Sequence, residues 1–281
     1  MRPTQLSSSR TSLPVVLYLA AVTVAGSALA QQPAKDEFVP QRGQTGKDVV
    51  WVPTEQELVD KMLDMAKVGP SDYVIDLGSG DGRTVITAAR RGIRAHGIEY
   101  NPKMVELSQR NAEKAGVTDK ASFANADIFQ SDFSQATVVT LFLLPQLNVR
   151  LRPTLLKMKP GTRVVSNTFD MGDWEADNTV QLPPGCHSFC RAFLWIVPAP
   201  VEGTWKLGEA ELTLEQKYQT FKGTLATGNV IAPVKGRLDG DRITFTASGS
   251  TVYSGRVSGD AMEGTVKTAD GPETAWKAAR K

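Results

Sequence analysis

The sequence predicts an α/β fold built on a largely parallel sheet, followed by a small antiparallel β domain. Three observations carry this. The apolar, β-rich run Tyr73–Leu77 breaks into glycines at alternate positions, Gly78, Gly80 and Gly82, and a helical pattern over 84–90 follows, with Gly92 past its end. A near-continuous apolar run over 137–144 has the composition of a strand buried on both faces. After Pro198-Ala199-Pro200 the pattern changes to short alternating strands separated by glycine turns.

Residues 1–30 read as a targeting segment. Arg2 and Arg10 are the only charges, an apolar stretch follows, and Ala28-Leu29-Ala30 is a small-residue cleavage site. The apolar stretch is short for a membrane span, so stable insertion is not expected after cleavage. Its removal takes two of the 32 basic groups and none of the 30 acidic ones. The remaining chain is formally neutral, which gives no general attraction to nucleic acid. The expected location is exported, periplasmic or secreted. Residues 31–47 are polar, with Pro, Gly and Gln, and read as a linker.

Thr54 and Glu57 form a capping box, and Leu58, Met62, Met65 and Ala66 follow at helical spacing. A helix over 55–68 is expected, closed by Gly69-Pro70. A second strand covers 94–98 and ends at Glu99, nineteen residues after Gly80. His96, inside that strand, reads as structural. Asn101-Pro102 is an N-cap with proline at N1, and the helix runs to Ala115 with Gly116 after it. A third strand over 122–125 leads to Asp127-Ile128. The buried strand over 137–144 ends at Pro145-Gln146, and a helix over 147–158 is interrupted at Pro153. A fifth strand spans 163–169, and 170–174 is a surface loop or a substrate-side lip. Residues 191–197 form a last strand.

The glycine turn brings bare backbone and a helix N-terminus to a ligand. A dinucleotide site would carry G-x-G-x-x-G, and this spacing departs from it. Asp76 and Asp81 flank the turn, and such carboxylates repel a pyrophosphate. They suit a cationic ligand with an amino group and a sulfonium.

The run Asp76-Leu77-Gly78-Ser79-Gly80-Asp81-Gly82 resembles the first motif of class I S-adenosylmethionine (SAM)-dependent methyltransferases. Val52-Pro53-Thr54 and the helix behind it are similar to a narrower branch, the protein-lysine methyltransferases that act on the ATP synthase c subunit and their relatives. The resemblance covers about 48–200 and implies a Rossmann-like seven-stranded sheet with SAM as cofactor. It implies that Asp76, Gly78, Ser79, Gly80, Asp81 and Gly82 form the site around the methionine end. Glu99 then takes the ribose, Asp127 the adenine amino group, Ile128 the adenine ring, and Thr54 lies over the cofactor. Leu143-Leu144-Pro145-Gln146 stands where many small-molecule and amide methyltransferases carry Asn/Asp-Pro-Pro-aromatic, and it resembles the lysine branch more. The expected substrate is therefore an amine, on a protein or a small molecule. No general base is identified; transfer to an amine needs mainly alignment and a deprotonated nitrogen. The rival reading is an exported, non-catalytic binding protein that keeps the fold.

Cys186 and Cys190 are the only cysteines. Their spacing, with His187 between, suits zinc poorly, and no metal is expected. In an oxidising setting they favour a local disulfide, which needs a turn at His187-Ser188. Residues 201–281 read as a β-meander, barrel or sandwich, with a weak repeat between 236–241 and 255–260. The proline-rich joint before it predicts that the two parts fold independently.

Overall fold

The structure is a computed structural model that describes residues 1–5, 38–269 and 271–281. Most of the segment read as a signal, and the linker up to residue 37, lie outside the described residues. Among the described residues no helix is long and apolar enough to cross a membrane.

Seven strands form the first sheet: β1 (Tyr73–Leu77), β2 (Arg94–Glu99), β3 (Ala121–Asn125), β4 (Val138–Leu141), β5 (Arg163–Asn167), β6 (Asn178–Gln181) and β7 (Arg191–Ile196). Their order is β3-β2-β1-β4-β5-β7-β6. β1 to β5 are parallel, and β7 runs antiparallel between β5 and β6. β6 has no clear signature in the sequence, because its residues are mostly exposed and lack an apolar run.

Both sheet faces are covered, so adjacent residues of a strand enter different cores. Val74, Val138 and Val165 pack with helices α1 (Gln56–Met65) and α2 (Arg83–Arg90). Ile75, Val139 and Val164 pack on the other side with Leu151 and Leu155 of helix α4 (Pro145–Leu155). Helix α3 (Pro102–Ala115) forms between the expected signals: the Asn101 side chain accepts from the Lys103 N–H at 3.0 Å, and Gly116 is left-handed.

Three expectations are corrected. α1 begins at Gln56, and Glu55 at its N-cap makes no side-chain capping bond. Thr54 instead accepts through Oγ1 from Asn167 Nδ2 at 3.1 Å, a partner 113 residues away that no local box reveals. Pro153 lies within α4 without ending it. The 170–174 loop is not a free surface loop, because Met171 and Trp174 are fully buried and anchor it, while Asp170, Gly172 and Asp173 stay exposed.

The second part is a closed antiparallel barrel, rather than a sandwich. Its strands are β8 (Gly203–Leu207), β9 (Ala210–Lys217), β10 (Thr220–Thr227), β11 (Val230–Asp239), β12 (Arg242–Ala247), β13 (Thr251–Ser258), β14 (Ala261–Lys267) and β15 (Thr274–Arg280). Closure comes from the pairing of β15 with β8, which leaves no open edge. Trp205, Phe221, Phe245 and Trp276 fill the interior. Gly236 is required there, since a Cβ would lie 2.2 Å from the Phe221 ring. Gly240-Asp241 and Gly259-Asp260 of the repeat form the β11–β12 and β13–β14 turns.

The barrel is held to the sheet by buried polar contacts. Trp174 Nε1 donates to Gln219 Oε1 at 3.0 Å, and Gln219 Nε2 donates to the Glu175 carbonyl at 2.8 Å. Tyr218 stacks on Trp174 at 5.8 Å, and the Ala199 N–H donates to the Gly240 carbonyl at 2.9 Å. Removing the barrel would therefore uncover Trp174 and leave its indole N–H without Gln219. Gln219→Ala leaves the buried Trp174 indole N–H unpaired and is expected to cost about 1–3 kcal/mol, read from the shift in urea midpoint.

Candidate functional site

A cavity of about 490 Å³ opens at the carboxyl ends of β1, β2 and β4. The order β2-β1-β4 reverses direction there, which is where open α/β sheets form ligand crevices. Gly78 and Gly80 have φ of 81° and 55°, conformations that carry a Cβ poorly. The Gly78 and Ser79 N–H groups donate to the Ile98 carbonyl, tying the turn to β2.

Glu99 holds the turn from the other side. Its Oε2 accepts from the Gly80 N–H at 3.0 Å, and its Oε1 from the Asn101 N–H at 2.9 Å. A carboxylate offers about four acceptor positions, so acceptor capacity remains. Ser108 Oγ donates to the Gly80 carbonyl at 2.8 Å, and Asn111 Nδ2 to the Asp81 carbonyl at 2.9 Å.

Asp76 is the penultimate residue of β1 and is buried, at 7% exposure. Burial pushes its carboxyl up to about 7, against the opposing effect of the Thr140 and Thr84 hydroxyls; Glu99 and Asp81 push it further up. The Thr140 hydroxyl donates to it at 2.6 Å. A buried acid with this affinity for a proton also has affinity for a cation.

Most of the expected site residues line this cavity: Thr54, Asp76, Gly78, Ser79, Gly80, Asp81, Glu99, Asp127 and Ile128. Gly82 does not. It is the left-handed N-cap of α2, and a Cβ there would lie 2.9 Å from Phe123 and Ser108, so its glycine serves packing. The Ser79 hydroxyl is buried against Gly97 without a hydrogen bond, while its carbonyl accepts from the Gly82 N–H at 2.9 Å, so Ser79 shapes the turn. Asp81 is engaged by Arg83 at 2.6 Å, and Arg83 also donates to the Thr54 carbonyl at 2.7 Å. Asp127 accepts from the Phe129 N–H at 2.9 Å and pairs with Lys47 at 2.6 Å. Those two bonds hold its carboxyl below the usual range, the Lys47 contact foremost.

The largest departure from expectation is the segment read as a linker. The Trp51 N–H donates to the Gln44 carbonyl, the Gly43 N–H to the Trp51 carbonyl, and Thr45 bridges Val50. These bonds make a small hairpin that lines the cavity from Gln44 to Thr54. Trp51 lies over the glycine turn, with its Nε1 2.7 Å from where a Gly80 Cβ would stand. The sequence signal for the strap is confined to its second half, Trp51 and the Val52-Pro53-Thr54 entry, while 41–47 reads only as polar, glycine-containing chain.

The site fits a cationic nucleoside cofactor. Gly78 and Gly80 keep the turn tight at the cavity wall, since a Cβ would meet Leu143 at 3.3 Å and Trp51 at 2.7 Å respectively. Asp48, Asp76, Asp81, Glu99 and Asp127 outnumber Lys47 and Arg83 on the lining. Among the described residues no cluster could hold a metal ion.

A family model described as the ANTKMT methyltransferase domain matches residues 76–178. A protein-lysine N-methyltransferase of Saccharolobus islandicus is 44% identical over 140 residues, 49% of this chain and 87% of that protein. The mouse lysine N-methyltransferase of the ATP synthase c subunit is 36% identical over 132 residues, 46% of this chain and 52% of that protein. The chain thus spans about half the length of the mouse relative. A crystal structure of an RNA methyltransferase from Salinibacter ruber in complex with S-adenosyl-L-homocysteine superposes with a TM-score of 0.50 at 46% identity, covering 53% of this chain and 96% of that one.

Gly80→Ala tests the cradle. A left-handed alanine costs about 1–2 kcal/mol, and the new methyl displaces Trp51. A lower melting temperature and an altered near-ultraviolet dichroism are expected.

Proposed function

Because the chain belongs to the protein-lysine N-methyltransferase family of SAM-dependent methyltransferases, we propose that it methylates the side-chain amine of a protein lysine. The observation that carries this reading is the sign of the cavity: five carboxylates against two basic groups on its lining. Such a field attracts an alkylammonium and opposes a phosphodiester. RNA, named for the Salinibacter protein, is the less favoured substrate on that ground.

The chemistry supplied by bound SAM is a methyl group on a sulfonium sulfur: the C–S bond breaks with its electron pair kept by sulfur, the amine nitrogen forms the C–N bond, and one proton leaves the nitrogen. The protein's part is binding and alignment. The backbone at Gly78 and Gly80, with the Asp76 carboxylate, would hold the methionine end. Glu99 would take the ribose with its remaining acceptor positions. Asp127 and Ile128 would meet the adenine, with the strap closing over it. Asp81 contributes through Arg83, which joins the turn to the strap at Thr54.

The same reading takes the enzyme to act outside the cytoplasm. Support comes from the pattern of residues 1–30 and from the pairing of Cys186 with Cys190, since disulfides persist in oxidising compartments.

Incubation of the purified chain with methyl-labelled SAM and a cell extract tests the substrate. Label recovered as methyl-lysine after acid hydrolysis of protein is expected; label confined to RNA would overturn the proposal. Glu99→Ala is expected to weaken S-adenosylhomocysteine binding by about 1–3 kcal/mol, by calorimetric titration. The same titration has a predicted pH dependence. The Asp76 carboxyl is raised to about 7 in the free protein, and a bound ammonium favours its ionised form. Binding therefore needs the proton removed, and affinity should fall as pH drops below 7, by up to about tenfold per unit. Asp76→Asn should flatten that profile.

A further inference from the structure

Three phenylalanines line the cavity outside the residues assigned to the cofactor. Phe142 follows β4, Phe169 follows β5, and Phe189 precedes β7. All three line the cavity, and their rings form one contiguous wall. Centroids lie 5.2 Å apart for Phe142 and Phe189, 6.1 Å for Phe142 and Phe169, and 6.1 Å for Phe169 and Phe189. None belongs to a buried core; each keeps part of its surface exposed.

Two of the three are set by strained backbone. Thr168, beside Phe169, has φ of 60°, and Phe189 itself has φ of 58°. Left-handed conformations are uncommon for residues of these types, and such strain clusters at functional sites. The strain is held locally. The Thr168 N–H donates to the Arg191 carbonyl at 2.7 Å, and Asn148 Nδ2 donates to the Phe169 carbonyl at 3.1 Å. Phe189 lies inside the loop closed by the Cys186–Cys190 disulfide, whose Cα atoms are 5.9 Å apart. Arg42, near the start of the strap, donates to Ser188 Oγ at 3.0 Å.

We propose that Phe142, Phe169 and Phe189 form the surface that receives the substrate's alkylammonium, and that the Cys186–Cys190 bridge positions Phe189 in it. This rests on the lysine reading above and adds which residues select the substrate. Aromatic faces attract cations and accept methylene groups, while the lining carboxylates supply the field. The attraction persists when the ammonium carries methyl groups, because it needs no N–H donor. The disulfide makes no contact with the substrate; it limits the loop so that the aromatic ring stays on the wall.

The test uses the full chain, two small probes and S-adenosylhomocysteine, all by calorimetric titration. The probes are Nα-acetyl-Nε-trimethyl-lysine amide and its neutral isostere with a tert-butyl group in place of the trimethylammonium. The cationic probe should bind the wild type about two- to fivefold more tightly than the isostere. Phe189→Leu should lose that preference, Phe189→Tyr should keep it, and the Cys186→Ser/Cys190→Ser variant should behave as Phe189→Leu. S-adenosylhomocysteine affinity should be unchanged in all of them. Equal binding of both probes to the wild type, no binding of either, or a preference retained in Phe189→Leu would overturn the proposal. A parallel loss of S-adenosylhomocysteine affinity would also overturn it, by assigning the loop to the cofactor. A preference retained in the double cysteine variant would overturn the positioning role of the bridge. The lysine reading is judged separately, by methyl-lysine in labelled hydrolysates.

Discussion

The site depends on one carboxylate accepting two backbone amides. Glu99 takes the Gly80 N–H and the Asn101 N–H, and so joins the turn after β1 to the turn after β2. Charge-assisted bonds of this kind are stronger than neutral ones, and the strands that carry them are already in register. The rest of the cavity is assembled on that junction. Ser108 holds the Gly80 carbonyl, Asn111 holds the Asp81 carbonyl, and Trp51 rests over the glycine whose amide Glu99 secures.

The fold bears an electrostatic cost at the same place. Asp76 is buried near two other acids, and its hydroxyl partners offset only part of its desolvation. A structure under pressure for stability alone would place an apolar residue there. The cluster is intelligible as half of a pair whose other half is a cation carried in by a ligand. Arg83 and Lys47 pair with two of the other acids, Asp81 at the glycine turn and Asp127 at the strap.

What is legible in the sequence follows the range of the interactions concerned. Asn101, Pro102 and Gly116 bound α3 correctly because capping is decided within a few residues. The strand, turn and helix around Gly78 are legible for the same reason. Gly82 misleads because a glycine needed for Phe123 to pack looks, in one dimension, like a glycine needed for a ligand. Thr54 misleads because its partner, Asn167, is distant in the chain. The barrel is legible as alternating strands between glycine turns, but its closure is not, because the β15–β8 pairing joins residues more than 70 positions apart. Trp174 looks like loop composition because its burial depends on Gln219 of the other part.

The strap has a consequence for the order in which the molecule is completed. Its bonds to the remainder of the site span large separations, 60 residues from Gln44 to Met104 and 80 from Lys47 to Asp127. Closing such loops is opposed by chain entropy until the partner surfaces exist. β1, α2, β2 and α3 build those surfaces largely from short-range pairings, so the strap settles late in folding although it precedes them in the chain. By the same argument the β1–β4 pairing, which joins Val74 to Val138, closes a loop as long as those of the strap, so the cavity is completed by long-range contacts on both of its sides.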